Sequence, residues 1–133
     1  MPRLVKGAKE TFGWVLVSRE REIIIPPDAW DRYGFHVGEQ AFFLPASQTS
    51  GGFGLTNRKL FDSCILSLHP NRILALDVFG ENREVYIPEV IAVSSNDMLL
   101  TVFGSCYALG FISRGPIFET AKAYPELEIY TKE

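Results

Sequence analysis

The chain has 133 residues, of which 47% are hydrophobic and 22% charged, with 13 basic residues against 16 acidic ones and a formal charge of −3. That balance is ordinary for one globular domain and excludes a coiled-coil rod or a mostly disordered tail. The acid excess argues against binding to nucleic acid through overall charge, which rests on phosphate neutralisation, but leaves room for a local basic patch. A chain of this length buries about two thirds of its unfolded surface and needs no disulfide or metal to hold it; its ten Phe, five Tyr and two Trp supply the core.

In chain order, residues 1–12 read as a tail. Trp14 to Val17 and Glu22 to Ile25 are β-rich and flank the polar turn Ser18-Arg19-Glu20-Arg21. Pro26-Pro27-Asp28 stops the strand and opens a short helix, Asp28 to Tyr33, with Gly34 placed as a left-handed cap. A turn, Phe35 to Glu39, leads into a strand from Gln40 to Leu44. A small-residue loop from Pro45 to Gly52 precedes a strand from Phe53 to Thr56, and Arg58 to Leu68 reads as a helix ended by Pro70. Four strands follow, Ile73 to Phe79, Glu84 to Ile87, Leu99 to Phe103 and Ala108 to Ile112. A helix from Pro116 to Tyr124 and a last short strand from Glu126 to Thr131 complete the chain.

This order contains a repeat. Glu22-Ile23-Ile24-Ile25-Pro26 and Glu84-Val85-Tyr86-Ile87-Pro88 share an offset of 62, and each follows an arginine, Arg21 or Arg83. Phe53-Gly54-Leu55 aligns with Leu109-Gly110-Phe111, and Arg58 with Arg114, at an offset of 56; Pro70 aligns with Pro125 at 55. The second copy, residues 71–133, has therefore lost about six residues relative to the first, residues 13–70. Repeats this short often cannot bury their own apolar faces, so the two copies are expected to share one core.

Ile25 to Glu39 resembles the AbrB/MazE/SpoVT family, whose signature runs roughly I-P-x-E-x-R-x-x-L-G-I-x-x-G-D. Ile25, Pro26, Gly34 and Gly38 match by identity, and Asp28, Tyr33, Phe35 and Glu39 by type. The resemblance covers about 45 residues of the first copy. The second keeps Val85 to Glu89 and the later strands, while Ile91 to Met98 is too short for the full helix and turn. The resemblance implies a mainly β fold in which two units interleave their hairpins into one small barrel, usually a homodimer; here it would be an intramolecular pseudo-dimer, one globular unit made of both copies. It also implies double-stranded DNA as partner and a role as transcriptional regulator or antitoxin, with arginines gripping phosphates.

For that role the nucleic-acid contacts are Arg19, Arg21, Arg32 and Arg83. The first 70 residues hold eight basic and seven acidic residues, the remainder five and nine. A DNA face would therefore lie on the first half, where Arg3, Lys6 and Lys9 add to it. Where the family commonly carries basic residues, this chain has Glu22, Glu84, Trp30 and Asp31, and acids repel phosphate. The alternative reading is accordingly a protein-interaction or assembly module on the same fold that has lost DNA binding, either as a monomeric pseudo-dimer or as a homodimer.

No enzyme chemistry stands out. Gly51-Gly52-Phe53-Gly54 lacks the Lys-Ser/Thr of a phosphate loop and leads into a strand. Gly104-Ser105-Cys106 is not a nucleophile elbow. His36 and His69 have no metal-ligand neighbours at suitable spacing, and the carboxylates Glu20, Glu22, Glu81 and Glu84 read as dispersed surface charges. Trp14, Trp30, Phe35, Phe42 and Phe43 read as core, with Trp30 the one that could stack on a base. The cysteines, Cys64 and Cys106, read as buried thiols. With no apolar leader or span of about 18 residues, the expectation is a cytoplasmic protein that binds no metal, cofactor or membrane.

Overall fold

The structure, a computed structural model, describes residues 10–46, 48–63, 72–105 and 107–132. Cys64, His69, Pro70, Cys106, Arg3, Lys6 and Lys9 lie outside the described residues, as does the expected helix beyond Ser63.

The architecture is mainly β: one curled, half-barrel sheet, one two-stranded ribbon and three short helices. The strands are β1 (Thr11–Leu16), β2 (Glu22–Ile24), β3 (Gln40–Pro45), β4 (Phe53–Thr56), β5 (Ala75–Val78), β6 (Glu84–Tyr86), β7 (Met98–Ser105), β8 (Ala108–Ile112) and β9 (Ile129–Tyr130); the helices are α1 (Pro27–Tyr33), α2 (Arg58–Asp62) and α3 (Pro116–Ala121). Every expected strand is present. The tail is shorter than expected, because Thr11 and Phe12 are buried in β1. Gly13, at φ 120°, carries that strand through a break in its register with β7. The last strand keeps two residues of the expected six, and α3 stops at Ala121.

Seven strands form the large sheet in the order β5-β3-β4-β8-β7-β1-β9. All neighbours are antiparallel except β9, which lies parallel to β1. Strands from the two halves are interleaved, β3 and β4 of the first standing between β5 and β8 of the second. β1 pairs with β7, placing Leu16 opposite Met98 and Trp14 opposite Leu100; β5 pairs with β3, placing Val78 opposite Gln40 and Leu76 opposite Phe42. Each half thus hands its first strand to the other half's third strand. At the centre, β4 meets β8 with Gly54 opposite Gly110, Phe53 opposite Phe111 and Leu55 opposite Leu109. The ribbon repeats the pattern: Ile23 faces Val85, with Glu22 opposite Tyr86 and Ile24 opposite Glu84.

The ribbon turns Ile23, Ile25, Val85 and Ile87 toward the inner face of the sheet. They bury there with Phe43, Phe53, Leu55, Leu99, Leu109 and Phe111 in one cluster. Alternate residues of a strand point to opposite faces, so the outer face carries a second set. Trp14, Leu100, Val102 and Ile112 pack under Phe118 and Ala121 of α3, while Phe42 and Leu44 pack under Phe61 of α2. α1 begins with Pro27 in its first turn and ends at Gly34, whose φ of 65° and ψ of 37° make the left-handed cap. It buries Ala29 and Tyr33, four residues apart on one face.

The second half has no helix where α1 stands in the first. Its offset from the first half falls from 62 at Pro88 to 58 at Val93, so four of the six missing residues are lost here. The turn that follows is nevertheless kept. His36 N–H donates to the Glu39 carboxylate, and Ser94 N–H donates to the Asp97 carboxylate, each at 2.8 Å. Gly38 N–H donates to the Phe79 carbonyl at 2.9 Å, and Asn96 N–H to the Val17 carbonyl at 2.7 Å. Ile91 to Met98 therefore accommodates the turn and drops only the helix.

Candidate functional site

The ribbon β2/β6 and the turns that lead into it hold three of the four arginines expected to meet nucleic acid. Arg21 and Arg83 each occupy a left-handed conformation, at φ 64° and 63°. Each ends a tight turn: Arg21 N–H donates to the Ser18 carbonyl at 2.9 Å, and Arg83 N–H to the Gly80 carbonyl at 3.1 Å. The Arg21 carbonyl accepts from Ile87 N–H, and the Arg83 carbonyl from Ile25 N–H. Four residues of strand thus separate the two turns, about 14 Å at the usual rise per residue.

The side chains have different surroundings. Half-buried Arg21 donates from Nε to the Ile87 carbonyl at 2.9 Å, from one terminal nitrogen to Val93 at 2.5 Å, and from the other to Pro88 at 2.9 Å and Ile91 at 3.1 Å. These four carbonyls belong to the segment that lacks the helix. Pro88 and Ile91 also accept from the Ile91 and Val93 N–H groups, so the guanidinium adds to two carbonyls that have a backbone donor and serves those of Ile87 and Val93 beside them. Arg83 makes one such bond, from Nε to the Ile25 carbonyl at 3.2 Å, because the chain beyond Ile25 enters α1 and satisfies its own carbonyls.

Arg32, on α1, is held by both oxygens of Glu10 at 2.8 and 2.9 Å, with its guanidinium 4.5 Å above the Phe103 ring. Arg19 is exposed, and its carbonyl accepts from the Ser95 hydroxyl. Arg21 and Arg32 are thus engaged by groups of the chain itself. Trp30, the residue that could stack on a base, is half-buried and packs edge-on against Phe35 and Phe79 at 5.9 and 5.3 Å.

The outward side of the ribbon is acidic. Glu22 holds the Lys132 ammonium, and that hydrogen bond, helped by the charges of Glu22, Glu20 and Glu84, raises the Lys132 pKa above its ordinary value. Of the four carboxylates read as dispersed, Glu22 alone makes an ion pair with this lysine. Glu84 also accepts from Asn82 N–H at 2.8 Å.

A second candidate surface lies at the sheet edge. β5 ends the large sheet, and among the described residues no strand pairs with its outer side. Leu74, Leu76 and Val78 are 44%, 52% and 52% exposed. Asp77, the one charged residue of the strand, is turned to the ribbon and accepts from Tyr86 N–H at 2.8 Å. At the opposite end of the sheet, β1 is covered by β9, and Trp14, in the position corresponding to Leu76, is buried. Sequence reading missed this asymmetry; its signal is the spacing of Leu74, Leu76 and Val78, which makes one face of an edge strand wholly apolar.

Among the described residues no group of three or more His, Cys, Asp or Glu side chains is placed to hold a metal, and no helix is long and apolar enough to cross a membrane. His36 is exposed, with its ring nitrogen 3.9 Å from Glu39. The chain matches no family model, no curated protein and no solved structure.

Proposed function

We propose that this chain is a non-enzymatic assembly module built from two fused AbrB-like units with swapped hairpins, and that it self-associates through β5. The two-unit reading is supported by the registers: at offsets of 62, 58 and 56 the pairings β1–β7 and β3–β5 map onto each other, while β2–β6 and β4–β8 map onto themselves. That is the symmetry of an isologous dimer contained in one chain.

The observation that carries the assembly reading is that, among the described residues, no strand pairs with the outer edge of β5. An edge strand presents unpaired N–H and C=O groups, and soluble proteins usually guard it with charge, proline, a bulge or a covering segment. The outward side chains of β5 are apolar and its one acid faces inward. Antiparallel pairing of two β5 strands would satisfy both edges and bring Leu76 and Val78 of each copy together. The DNA reading is weaker: Arg21 is spent on four carbonyls, Arg32 on Glu10, and the ribbon's outward face carries Glu20, Glu22 and Glu84.

Sedimentation velocity tests this. The unaltered chain is expected to form a concentration-dependent dimer, and Leu76→Lys/Val78→Lys to be monomeric with an unchanged melting temperature. A monomer at all concentrations overturns the reading. Saturable, salt-sensitive binding of a mixed-sequence duplex at low ionic strength, lost with Arg19→Ala, would restore the DNA reading in its place.

A further inference from the structure

The centre of the outer sheet face is open. α2 covers Phe42 and Leu44 on one side and α3 covers Leu100, Val102 and Ile112 on the other, and these form two separate clusters. Between them Gly54 and Gly110 face each other across β4 and β8. Neither contributes a side chain, and a cavity of about 300 Å³ lies over them, walled by Leu44, Val102, Ala108 and Ile112. This is the lower end of the range for small-molecule sites.

Gly54 is not forced by the fold. Its φ is not positive, and a methyl group there would meet nothing closer than the Leu44 Cβ at 3.6 Å. A glycine in the interior of a strand weakens it, and commonly marks a place where another backbone or a ligand comes close. The nearest backbone atom is a carbonyl of the neighbouring strand at 3.8 Å, so no crowded main chain explains the residue. Arg72 stands in the lining, together with Ser105 and Tyr107, and none of the described residues that line the cavity is acidic. Among the described residues Arg72 has no ion-pair partner.

We infer that this cavity binds a small amphipathic carboxylate, its apolar body lying over Gly54 and Gly110 and its carboxylate meeting Arg72. The guanidinium fork suits a planar carboxylate. The single positive charge and the volume limit the ligand to a monoanion with a short acyl chain or one aromatic ring. The site is independent of the β5 edge, so either proposal can fail alone.

Octanoate and its neutral counterpart octanamide serve as probes, titrated into the full chain and followed by amide chemical shifts. Octanoate is expected to bind saturably, with shifts centred on residues 44, 54, 72, 102 and 108–110, and about tenfold more tightly than octanamide, a difference of about 1.4 kcal/mol. Arg72→Gln should erase the preference. Gly54→Val should weaken both probes about tenfold by filling the floor, and Ala108→Leu does the same from the wall should the first variant fold poorly. Absence of saturable binding, equal affinity for the two probes, or shifts centred on Trp14 and α3 instead overturns the inference.

Discussion

Arg21 donates from Nε to the carbonyl of Ile87 at 2.9 Å, and the rest of its guanidinium closes on Pro88, Ile91 and Val93. A residue on the first half thereby caps a segment of the second that has lost its helix. Arg21→Ala removes this donor from four carbonyls, of which Pro88 and Ile91 keep backbone donors, and is expected to cost about 2 kcal/mol. Arg83→Ala loses one bond of the same kind and should cost about 1 kcal/mol. Arg21→Lys should not rescue, because a single ammonium lacks the flat fork that spans several carbonyls. Urea unfolding of the three variants decides; equal, small effects for Arg21→Ala and Arg83→Ala would show that the clamp contributes nothing.

Much of the fold is legible in the chain because strands announce themselves by alternation and turns by Gly and Pro. Val85 and Ile87 alternate with Glu84 and Tyr86 and are buried as that pattern requires, and in the apolar run Ile23-Ile24-Ile25 the first and third residues take the corresponding buried places. Other features leave no such mark. Arg21, Arg83 and Asn96 hold positive φ without being glycine, so their turns look like ordinary polar stretches. The extension of β1 to Thr11 hides behind Gly13, which reads as a break but acts as a bulge. At the site, a sequence displays the charge of Arg21 and Arg32 but not the carbonyls and the Glu10 carboxylate that take it up. Those partners lie 22 to 72 residues away and meet only through the exchange of strands.

Corresponding turns supply a second prediction. Gly38 has φ 88° and Asn96 has φ 73°, and each donates its N–H to the strand end of the opposite half. Nothing lies within 4 Å of where a Cβ on Gly38 would be, so only backbone strain opposes a side chain there. Asparagine tolerates this conformation better than other non-glycine residues. Gly38→Asn and Asn96→Gly should each change stability by less than about 1 kcal/mol, whereas Gly38→Val and Asn96→Val should each cost about 2 kcal/mol. Thermal melts of the four variants test the pairing; a benign valine at either site would refute the left-handed assignment.

Alkaline pH should loosen the C-terminal strand. Burial, followed by the neighbouring charge of Glu128, raises the Tyr130 phenol above its ordinary value of 10.0. The folded chain then holds this proton more tightly than the unfolded one. Its contribution is complete below pH 10 and is lost as pH rises through the elevated folded value. Lys132, raised chiefly by its hydrogen bond to Glu22, has the same sign, with its loss beginning above 10.5. Stability measured from pH 8 to 11 should fall most steeply above about pH 10. Tyr130→Phe should flatten the fall, and adding Lys132→Met should flatten it further. An unchanged slope in both variants would place the alkaline weakness elsewhere.

Two buried threonines in the large sheet should respond in opposite directions to the same substitution. Thr101 lies in β7 between Gly13 and Phe111, is fully buried, and its hydroxyl has no hydrogen-bond partner among the described residues. Thr56, also fully buried, donates its hydroxyl to the Tyr107 carbonyl at 2.5 Å. Valine has nearly the same shape as threonine, so it changes hydrogen bonding more than packing. Removing an unpaired buried hydroxyl relieves its desolvation cost, whereas removing a paired one strands its acceptor. Thr101→Val should therefore stabilise the chain by about 1 kcal/mol, and Thr56→Val should destabilise it by about the same amount. For a domain of this size each should move the melting temperature by about 4 °C, in opposite directions, and calorimetry resolves that easily. Shifts of the same sign would mean that the Thr101 hydroxyl is satisfied in solution and that the sheet is closed more tightly there than its geometry implies.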